Sequence, residues 1–371
     1  MEDALYIQLG EIRRIAKERY TKYHRRCRFE EIIQYLYEHD LLLPYSRKFK
    51  CAAHFLDAAE FNQHVGTQLV NASSVLSDIR RVFIREANMV PVEKDIFTTV
   101  HLPYIHAEMH SHDYFEINYV YSGSCTQEFD NESRQFHEGD LVIIAPNSPH
   151  RVCADGESLI ICMNIRQSTF DRVFWQLFQG NDILSTFLSR TLYGKQTGNY
   201  LTFTIENSSE YQQLIQQIFD ESTLIDDFSN NMSISLVNIF FGKLMREFGD
   251  TIHLFDVNKT HSFNNDFPII IKYVHHNYAT VSLSVLSQVF HYSEVYLSKM
   301  FKKNLDKNFA SILQHLKLQH AKEYLEFTDC RIANIAQLVG YDSVDHLSRT
   351  FKKAFQVSPS KYRYEKQRSQ S

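Results

Sequence analysis

The chain has 371 residues, of which 44% are hydrophobic and 22% are charged, and these values are typical of a folded protein rather than a disordered one. It contains no run of about 18 apolar residues and no apolar segment behind its charged start, so we expect neither a membrane span nor a signal peptide. The six cysteines are scattered without a CxxC motif, a pattern typical of free thiols in the reducing cytoplasm.

The net charge of −5 is distributed unevenly along the chain. Residues 268–371 contain 15 Lys and Arg against 8 Asp and Glu, a net charge of +7. Residues 91–267 carry −14 and residues 1–90 carry +2. We therefore expect the C-terminal block to bind any polyanionic partner and the middle of the chain to repel it.

Residues 1–90 predict a helical N-terminal extension, because apolar side chains recur at steps of three and four residues. This stripe comprises Leu5, Leu9, Ile12, Ala16, Tyr20 and Tyr23. The basic run from Arg13 to Arg28 is interpreted as a solvated helix face, with a second nucleic-acid surface or a lipid-binding surface as the alternative.

Residues 91–205 change to short β-rich runs such as FEINYVYSG and DLVIIAP, separated by turn residues at intervals of about ten positions. This spacing predicts a β-sandwich or barrel. Residues 206–257 contain two amphipathic stretches that predict linking helices. The polar, non-periodic stretch that follows predicts a linker before a helical block at 268–371.

The helical block contains one basic, amphipathic decamer twice, as YLSKMFKKNL at 296–305 and HLSRTFKKAF at 346–355. Before the second copy a helical pattern ends at Gly340, a residue type that adopts a positive φ at no steric cost. Two helices joined by such a turn form a helix-turn-helix, and the first copy follows the same pattern with His291 at the turn. The first helices align at an offset of 49 residues and the second helices at an offset of 50.

The second helix of each pair is predicted to face DNA, because its exposed side carries groups that reach base edges and phosphates. Predicted base contacts are Val295, Ser298, Lys299, Asp345, Ser348 and Arg349. Predicted phosphate contacts are Lys302, Lys303, Lys352 and Lys353. The apolar face of the first pair is predicted to bury Leu283, Leu286, Val289, Leu297, Phe301 and Leu305.

Between the two copies, residues 309–327 lack Gly and Pro and predict one helix about 28 Å long. Neighbouring major-groove faces of DNA recur every ~34 Å. The repeat therefore predicts that one chain reads two segments of one DNA site.

The C-terminal block resembles the DNA-binding domain of AraC-type transcription regulators in the segments YLSKMFKK, HAKEYL and IANIAQLVGYDSVDHLSRTFKKAFQVSPSKYR. The resemblance implies seven helices, binding to double-stranded promoter DNA and, in most members, activation with RNA polymerase. Gln356, Asp306 and His291 depart from the family pattern at turn positions. We expect each departure to cost up to about 1 kcal/mol of helix termination.

A second group of residues lies in the predicted barrel. The segment EMHSHDYFEINYVYSG is predicted to place His110, His112 and Glu116 on one strand face, because strand side chains alternate. A second segment, GDLVIIAPNSPH, ends at His150. The two segments resemble the two motifs of cupin barrels, in which such residues coordinate a divalent metal. The second motif departs from the tighter Gly pattern of that family.

Regulators of the AraC type often carry such a barrel as an effector sensor. The first interpretation is therefore a small-molecule pocket, with a sugar as the default ligand. Its residues would be His110, His112, Glu116, His150 and Tyr114. Two alternatives remain open, namely a divalent metal such as Zn, Fe, Ni or Mn on the three histidines and the glutamate, or a polar core without a ligand.

Together these observations predict an α+β fold with a helical N-terminal segment, a cupin-like β-barrel, linking helices and an all-α domain with two helix-turn-helix units. They predict a cytoplasmic transcriptional regulator, an activator that binds promoter DNA as a homodimer and responds to a small-molecule effector. We expect no catalytic activity and no required cofactor. The alternative is a metal-dependent cupin enzyme of the oxygenase or isomerase class that carries a helical tail.

Overall fold

The structure of the chain is a computed structural model. The residues it describes are 5–39, 41–44, 51–52, 55–71, 83–129, 132–170, 187, 199–206, 209–248, 253–256, 266–305 and 307–370. They form two compact units, one from the described residues up to 256 and the other from those after 265.

Helices and short strands alternate in the N-terminal segment of the first unit. These elements are β1 (Leu5–Gln8), α1 (Leu9–Tyr23), α2 (Phe29–Glu38), β2 (Leu43–Pro44), α3 (Ala58–Gly66) and β3 (Leu69–Asn71). The three strands form an antiparallel sheet with β1 in the centre. The predicted N-terminal helices are therefore present, and a small sheet that the sequence did not predict joins them.

The apolar stripe predicted for the first helix is confirmed in its middle and wrong at its ends. Leu9, Ile12 and Ala16 are buried. Leu5 lies in β1, before the helix begins. Tyr20 and Tyr23 are exposed, which suits side chains whose hydroxyl groups favour contact with water.

The middle of the chain consists mainly of strands, as the sequence predicts. In chain order the elements are β4 (Phe83–Ile84), α4 (Glu86–Met89), β5 (Ile96–His101), β6 (Ser111–His112), β7 (Phe115–Ser122), β8 (Ser124–Phe129), β9 (Glu132–His137), β10 (Asp140–Ile144), β11 (His150–Ala154), β12 (Leu159–Ile165), β13 (Asn199–Thr204) and β14 (His253–Asp256).

Two antiparallel sheets enclose the core of this region. The larger sheet has the order β14-β13-β10-β7-β12-β5 and the smaller has the order β11-β8-β9. A buried cluster joins side chains from both sheets, including Val120 of β7, Phe136 of β9 and Val152 of β11. Strand β7 lies between β10 and β12 and is buried along nearly its whole length, including its polar residues Glu116 and Asn118.

Two helices lie between β13 and β14 in the chain and pack together, namely α5 (Ser209–Thr223) and α6 (Ser229–Phe248). Helix α5 also packs against β5, where the Thr98 amide donates a hydrogen bond to Ser222 Oγ at 3.2 Å. The buried Lys94 ammonium donates to Ser229 Oγ at 2.6 Å. These contacts attach the helix pair to the larger sheet.

The C-terminal unit is all helical in the part of the chain that the structure describes. Its seven helices are α7 (Phe267–His276), α8 (Leu283–Phe290), α9 (Glu294–Leu305), α10 (Phe309–Phe327), α11 (Ile332–Leu338), α12 (Val344–Phe355) and α13 (Pro359–Gln370). This number agrees with the expectation from the resemblance. Among the described residues, no helix combines the length and the apolar character that crossing a membrane requires.

Candidate functional site

Two helix-turn-helix units lie in the C-terminal unit, formed by the pairs α8–α9 and α11–α12. The first helices begin at Leu283 and Ile332, 49 residues apart, and the second helices begin at Glu294 and Val344, 50 residues apart. The sequence repeat is therefore confirmed as a repeat of structure.

The turn of each unit contains one residue in the left-handed region. Gly340 has φ 76° and His291 has φ 57°. A Cβ at Gly340 would lie 2.0 Å from the carbonyl oxygen of Ala279, so this position accepts glycine alone. Gln356, after α12, is also left-handed at φ 62°. Asp306, the third departure from the family pattern, lies outside the described residues.

Hydroxyl groups cap three of these short helices. The Oγ atoms of Ser282, Ser293 and Ser343 each accept a hydrogen bond at 3.2 Å from a backbone N–H three residues later. Each cap satisfies one of the free N–H groups at a helix start. The boundaries of the two units are thus fixed by local sequence.

The predicted apolar face of the first unit is mostly confirmed. Leu286, Leu297, Phe301 and Leu305 are buried, and Leu283 is half-buried.

The prediction for Val289 is wrong, because this side chain is 44% exposed. Its neighbour Phe290 faces the interior instead, with its ring centroid 5.5 Å from that of Tyr273 in an edge-to-face contact. The larger aromatic side chain therefore takes the inward position at the end of α8.

The structure places all the predicted DNA-contacting residues on α9 and α12. The exposed ones are Val295, Lys299, Lys302, Lys303, Asp345, Arg349, Lys352 and Lys353, and the half-buried ones are Ser298 and Ser348. Tyr296, which sequence reasoning missed, is 45% exposed on the same part of α9. Helix α10 connects the two helix-turn-helix units and contains 19 residues, so it is about 28 Å long.

The histidine cluster of the first unit forms around Glu116 on β7. The backbones of His110 and His150 exchange two hydrogen bonds of 2.9 Å, which brings the two cupin-like sequence motifs together. Glu116 Oε2 lies 3.2 Å from His112 Nε2, and Glu116 Oε1 lies 3.4 Å from His150 Nε2. Tyr114 stacks on His112 with ring centroids 4.0 Å apart. All five predicted pocket residues therefore lie together.

Backbone carbonyls fix the orientation of the three imidazoles. The Nδ1 atoms of His110, His112 and His150 lie 3.1, 2.8 and 2.9 Å from carbonyl oxygens two residues away in the chain. A carbonyl oxygen only accepts hydrogen bonds, so each Nδ1 carries a proton and the Nε2 atom of a neutral ring keeps its lone pair. This is the usual arrangement behind metal-binding histidines.

Burial and Glu116 set the charges in the cluster. Burial lowers the pKa of His110 to about 4 and also lowers the pKa of His112, which keeps both rings neutral. Burial alone would raise the pKa of Glu116, but His150, His101 and His112 hold it well below its usual range. Burial opposes the charge on His150, yet the Glu116 carboxylate raises its pKa. The result favours a buried Glu116–His150 ion pair.

The donor atoms of the cluster fit a divalent metal. Those of His110, Glu116 and His150 lie within 4.8 Å of one another. The Nε2 atoms of His112 and His150 are buried, and both face the Glu116 carboxylate. Imidazole nitrogen with one carboxylate is a common ligand set for Zn, Fe, Ni and Mn.

Sequence reasoning missed further polar groups beside Glu116. His101 Nε2 lies 3.4 Å from Glu116 Oε1, and the Asn118 amide donates to the same oxygen at 2.8 Å. Cys162 could join His101 and Glu116 as a second group of ligands. His101 ends β5 and Cys162 lies on β12, so only the pairing of these strands with each other and with β7 reveals the contacts.

Comparison with protein families gives two matches. A model described as an AraC-like ligand binding domain matches residues 97–231, and a model described as a helix-turn-helix domain matches residues 286–365. The first covers the strands with the histidine cluster, and the second covers most of both helix-turn-helix units.

Similar curated proteins are regulators. The raffinose operon transcriptional regulatory protein RafR of Pediococcus pentosaceus is 25% identical over 254 residues, which cover 66% of this chain and 88% of RafR. The uncharacterised HTH-type transcriptional regulator YijO of Escherichia coli is 33% identical over 98 residues, 26% of this chain and 35% of YijO. The match to YtdP of Bacillus subtilis, also an uncharacterised HTH-type regulator, spans 13% of that protein at 31% identity.

Similar solved structures include a C-terminal domain of the response regulator yesN from Fusobacterium nucleatum. It is 34% identical, covers 27% of this chain and 99% of that chain, and has a TM-score of 0.26. An apo form of a ToxT variant from Vibrio cholerae is 16% identical, covers 73% of this chain and 98% of that chain, and has a TM-score of 0.31.

Proposed function

Because this chain is an AraC-family transcriptional regulator with an AraC-like ligand-binding domain and a helix-turn-helix DNA-binding domain, we propose that it activates promoters in response to a sugar. In this proposal both helix-turn-helix units read one DNA site, and the sugar binds at the histidine cluster. The protein acts as a regulator and not as an enzyme, and it acts in the cytoplasm, where promoter DNA and RNA polymerase are found.

The observation that carries the proposal is the recurrence of one exposed basic face on α9, which precedes α10 in the chain, and on α12, which packs against Leu318, Ala321 and Leu325 of α10. Arg349 and Lys299 occupy equivalent positions, and a guanidinium or an ammonium group at that position can donate to guanine O6 and N7 in the major groove. Val295 and Asp345 lie one turn earlier on the same faces, within reach of neighbouring bases.

Phosphate contacts hold the recognition helices in register. Lys302 and Lys303 lie in the last turn of α9, and Lys352 and Lys353 lie in the last turn of α12. Ammonium groups pair with phosphates as point charges and carry little sequence information. Loss of one such lysine should therefore weaken binding to every DNA sequence.

The histidine cluster is the proposed effector site. It combines imidazole, carboxylate and phenol groups beside a stacked aromatic pair, and such groups suit the hydroxyls and the apolar face of a sugar. RafR is named for a raffinose operon, which makes raffinose and its component sugars the first ligands to test.

A divalent metal at the same cluster is part of the proposal, held by His110, Glu116 and His150 with His112 beside them. When bound, it would supply a Lewis acid that ligates sugar hydroxyls. Metal analysis of the purified full-length chain tests this: one equivalent of metal that is lost in a Glu116→Gln variant would support it. A metal-free protein that still binds its sugar would refute it.

We also propose that a second copy of the chain pairs with helices α5 and α6. Met232 and Ile239 are 48% and 51% exposed and lie seven residues apart on α6, hence on one face. Ile225 and Phe228, just before α6, are also exposed. Sedimentation of the wild type and of Phe228→Asp tests this, since a dimer should become a monomer. A monomeric wild type would refute it.

Two variants separate the DNA site from the effector site. His112→Phe keeps a ring against Tyr114 but removes both nitrogens, so it should bind promoter DNA normally and lose the response to sugar. Arg349→Ala should do the reverse, keeping the sugar-induced thermal shift and losing site-specific DNA binding. The DNA assay is fluorescence anisotropy on the most strongly occupied genomic site. Loss of both responses in both variants would show that the two assigned roles are wrong.

A further inference from the structure

A cleft of about 410 Å³ lies in the first unit between the N-terminal helices and two loops of the strand region. Its lining comprises Gly10, Arg13, Arg14, Lys17, Asn62, Gln63, Gly66, Thr67, Pro103, Tyr104, Glu157 and Ser158. None of the histidine-cluster residues belongs to this lining. The volume is in the range of small-molecule sites, roughly 300–1,000 Å³.

Arg13 gives the cleft a positive charge that Glu157 offsets through space, without a hydrogen bond to the Arg13 Nε or Nη2 atom. Its Nη1 atom donates to Asn62 Oδ1 at 2.6 Å, which holds the guanidinium against α3. The Nε and Nη2 atoms are shielded from solvent and have no hydrogen-bond partner among the described residues. Burial lowers the pKa of Arg13 to about 10, so the group stays charged at neutral pH. An anion beside Arg13 would offset both the buried charge and the unused donors.

Arg14, in contrast, already has two acidic partners. It pairs with Glu11 at 2.7 Å and with Glu18 at 2.8 Å, both on its own helix. Its charge is therefore largely neutralised, and the anion-binding capacity of the cleft depends on Arg13 and Lys17.

One carboxylate already occupies the cationic end of the cleft. Glu157 Oε1 lies 2.8 Å from Lys17 Nζ and accepts a 3.0 Å hydrogen bond from the Tyr104 hydroxyl. The Glu157 side chain is 65% exposed, so this pairing contributes little stability and an incoming anion can compete with it. Glu157 thus marks where an acidic group fits.

Backbone geometry at the cleft also departs from the ordinary. Tyr104 adopts φ 63°, a left-handed conformation that costs a non-glycine residue energy, and its carbonyl accepts from the Cys27 amide at 3.0 Å. Gly10 and Gly66 meet so closely that a Cβ on Gly10 would lie 3.1 Å from the Gly66 carbonyl oxygen. The Cys27–Tyr104 hydrogen bond and the close contact between Gly10 and Gly66 hold the cleft walls in place.

We propose that this cleft is a second ligand site of the regulator, and that it binds a small organic anion of monosaccharide size through Arg13 and Lys17. The phosphate or carboxylate of the ligand would lie between these two cations, replacing Glu157 as the partner of Lys17. The amides of Asn62 and Gln63, the hydroxyl of Thr67 and the ring of Tyr104 would contact its hydroxyl-bearing part. The site is separate from the sugar site proposed at the histidine cluster.

The test is thermal unfolding of the full-length chain with millimolar glucose 6-phosphate, glucuronate, glucose or inorganic phosphate. A ligand that binds the folded state raises the melting temperature. We expect glucose 6-phosphate or glucuronate to raise it more than glucose or inorganic phosphate does. The compound that gives the larger rise in melting temperature, glucose 6-phosphate or glucuronate, identifies the anion as a phosphate ester or a carboxylate.

Three variants make the test specific. Arg13→Ala should abolish the shift, and Glu157→Gln should lower the ligand concentration needed, because it removes the competing carboxylate. Arg25→Ala removes one positive charge that pairs with Glu31 outside the cleft, and it should behave as the wild type.

Absence of a shift in melting temperature with all anions would overturn the proposal. An equal shift in the wild type and Arg13→Ala would also overturn it, because the anions would then bind elsewhere, such as the lysines of α9 and α12. Should Arg13→Ala fail to fold, the Glu157→Gln result decides: an unchanged or weaker response overturns the proposal.

Discussion

Replacing Gly340 with alanine should destabilise the C-terminal unit far more than an ordinary surface substitution. Gly340 has φ 76°, and a left-handed conformation costs an alanine roughly 1–2 kcal/mol. The added Cβ would also lie 2.0 Å from the oxygen, 2.7 Å from the carbonyl carbon and 2.8 Å from the Cα of Ala279. These are backbone atoms, so relief requires the turn to move, and overpacking of this kind costs about 1–3 kcal/mol. The expected loss is therefore about 2–5 kcal/mol.

Differential scanning calorimetry of the full-length chain is the assay, because the two units are expected to give separate transitions. For a unit of this size 1 kcal/mol corresponds to roughly 4–8 °C, so the transition of the C-terminal unit should fall by about 8–40 °C. Gly156→Ala is the control, since Gly156 also has a positive φ, of 52°, but no atom lies within 4 Å of the added Cβ. Gly156→Ala should reduce the stability of the first unit by only about 1–2 kcal/mol, the cost of the left-handed conformation. A fall below about 4 °C in Gly340→Ala would refute the reasoning, because it would mean that the contact with Ala279 does not constrain the turn.

Four further predictions concern the DNA surface, the turn of the first helix-turn-helix unit and the histidine cluster. Arg349→Ala should cost about 1–3 kcal/mol at the cognate site and relax specificity there. Lys352→Ala should instead weaken binding to all sequences alike and reduce the slope of log K against log salt by about 1. Anisotropy titrations on cognate and scrambled duplexes distinguish these effects, and identical behaviour of the two variants would contradict the assignment. His291→Gly should stabilise the C-terminal unit by roughly 1 kcal/mol, because glycine relieves the left-handed conformation; a lower melting temperature would contradict this. Glu116→Gln should destabilise the first unit by about 3–5 kcal/mol, because His150 loses its buried counter-charge, and unchanged urea unfolding would contradict the ion pair.

The C-terminal unit was the most predictable part of the chain, because its structure is specified locally. Helix α10 spans residues 309–327, as the absence of Gly and Pro predicts, with Asn308 as its cap. The left-handed turns at Gly340 and His291 follow from residue identity and from the repeat. The error at Val289 arose where two adjacent apolar residues compete for one inward position, and helical periodicity alone does not choose between them.

The histidine cluster was predictable in part. The two cupin-like motifs supply His110, His112, Glu116 and His150, but the single strand predicted for the first three is wrong, because His112 ends β6 and Glu116 lies on β7. The contacts of Glu116 with strands β5 and β12 depend on which strands pair. No single segment of the sequence determines this long-range pairing.

The cleft beside Arg13 was not predictable for the same reason. It joins residues 10–17, 62–67, 103–104 and 157–158, which only the packing of α1 and α3 on the strand region brings together. The basic run from Arg13 to Arg28 was interpreted as a solvated face. In the structure many of its members pair with carboxylates, whereas Arg13 is held inward by Asn62.

The most direct test of the central claim is footprinting of the full-length protein on its most strongly occupied genomic site, with Lys299→Ala and Arg349→Ala as variants. Two recognition helices joined by α10 predict two protected major-groove segments per protomer, one helical turn of DNA apart. Each variant should lose protection in one segment and keep it in the other. A single protected segment, or a footprint that neither variant changes, would contradict reading of DNA through both units.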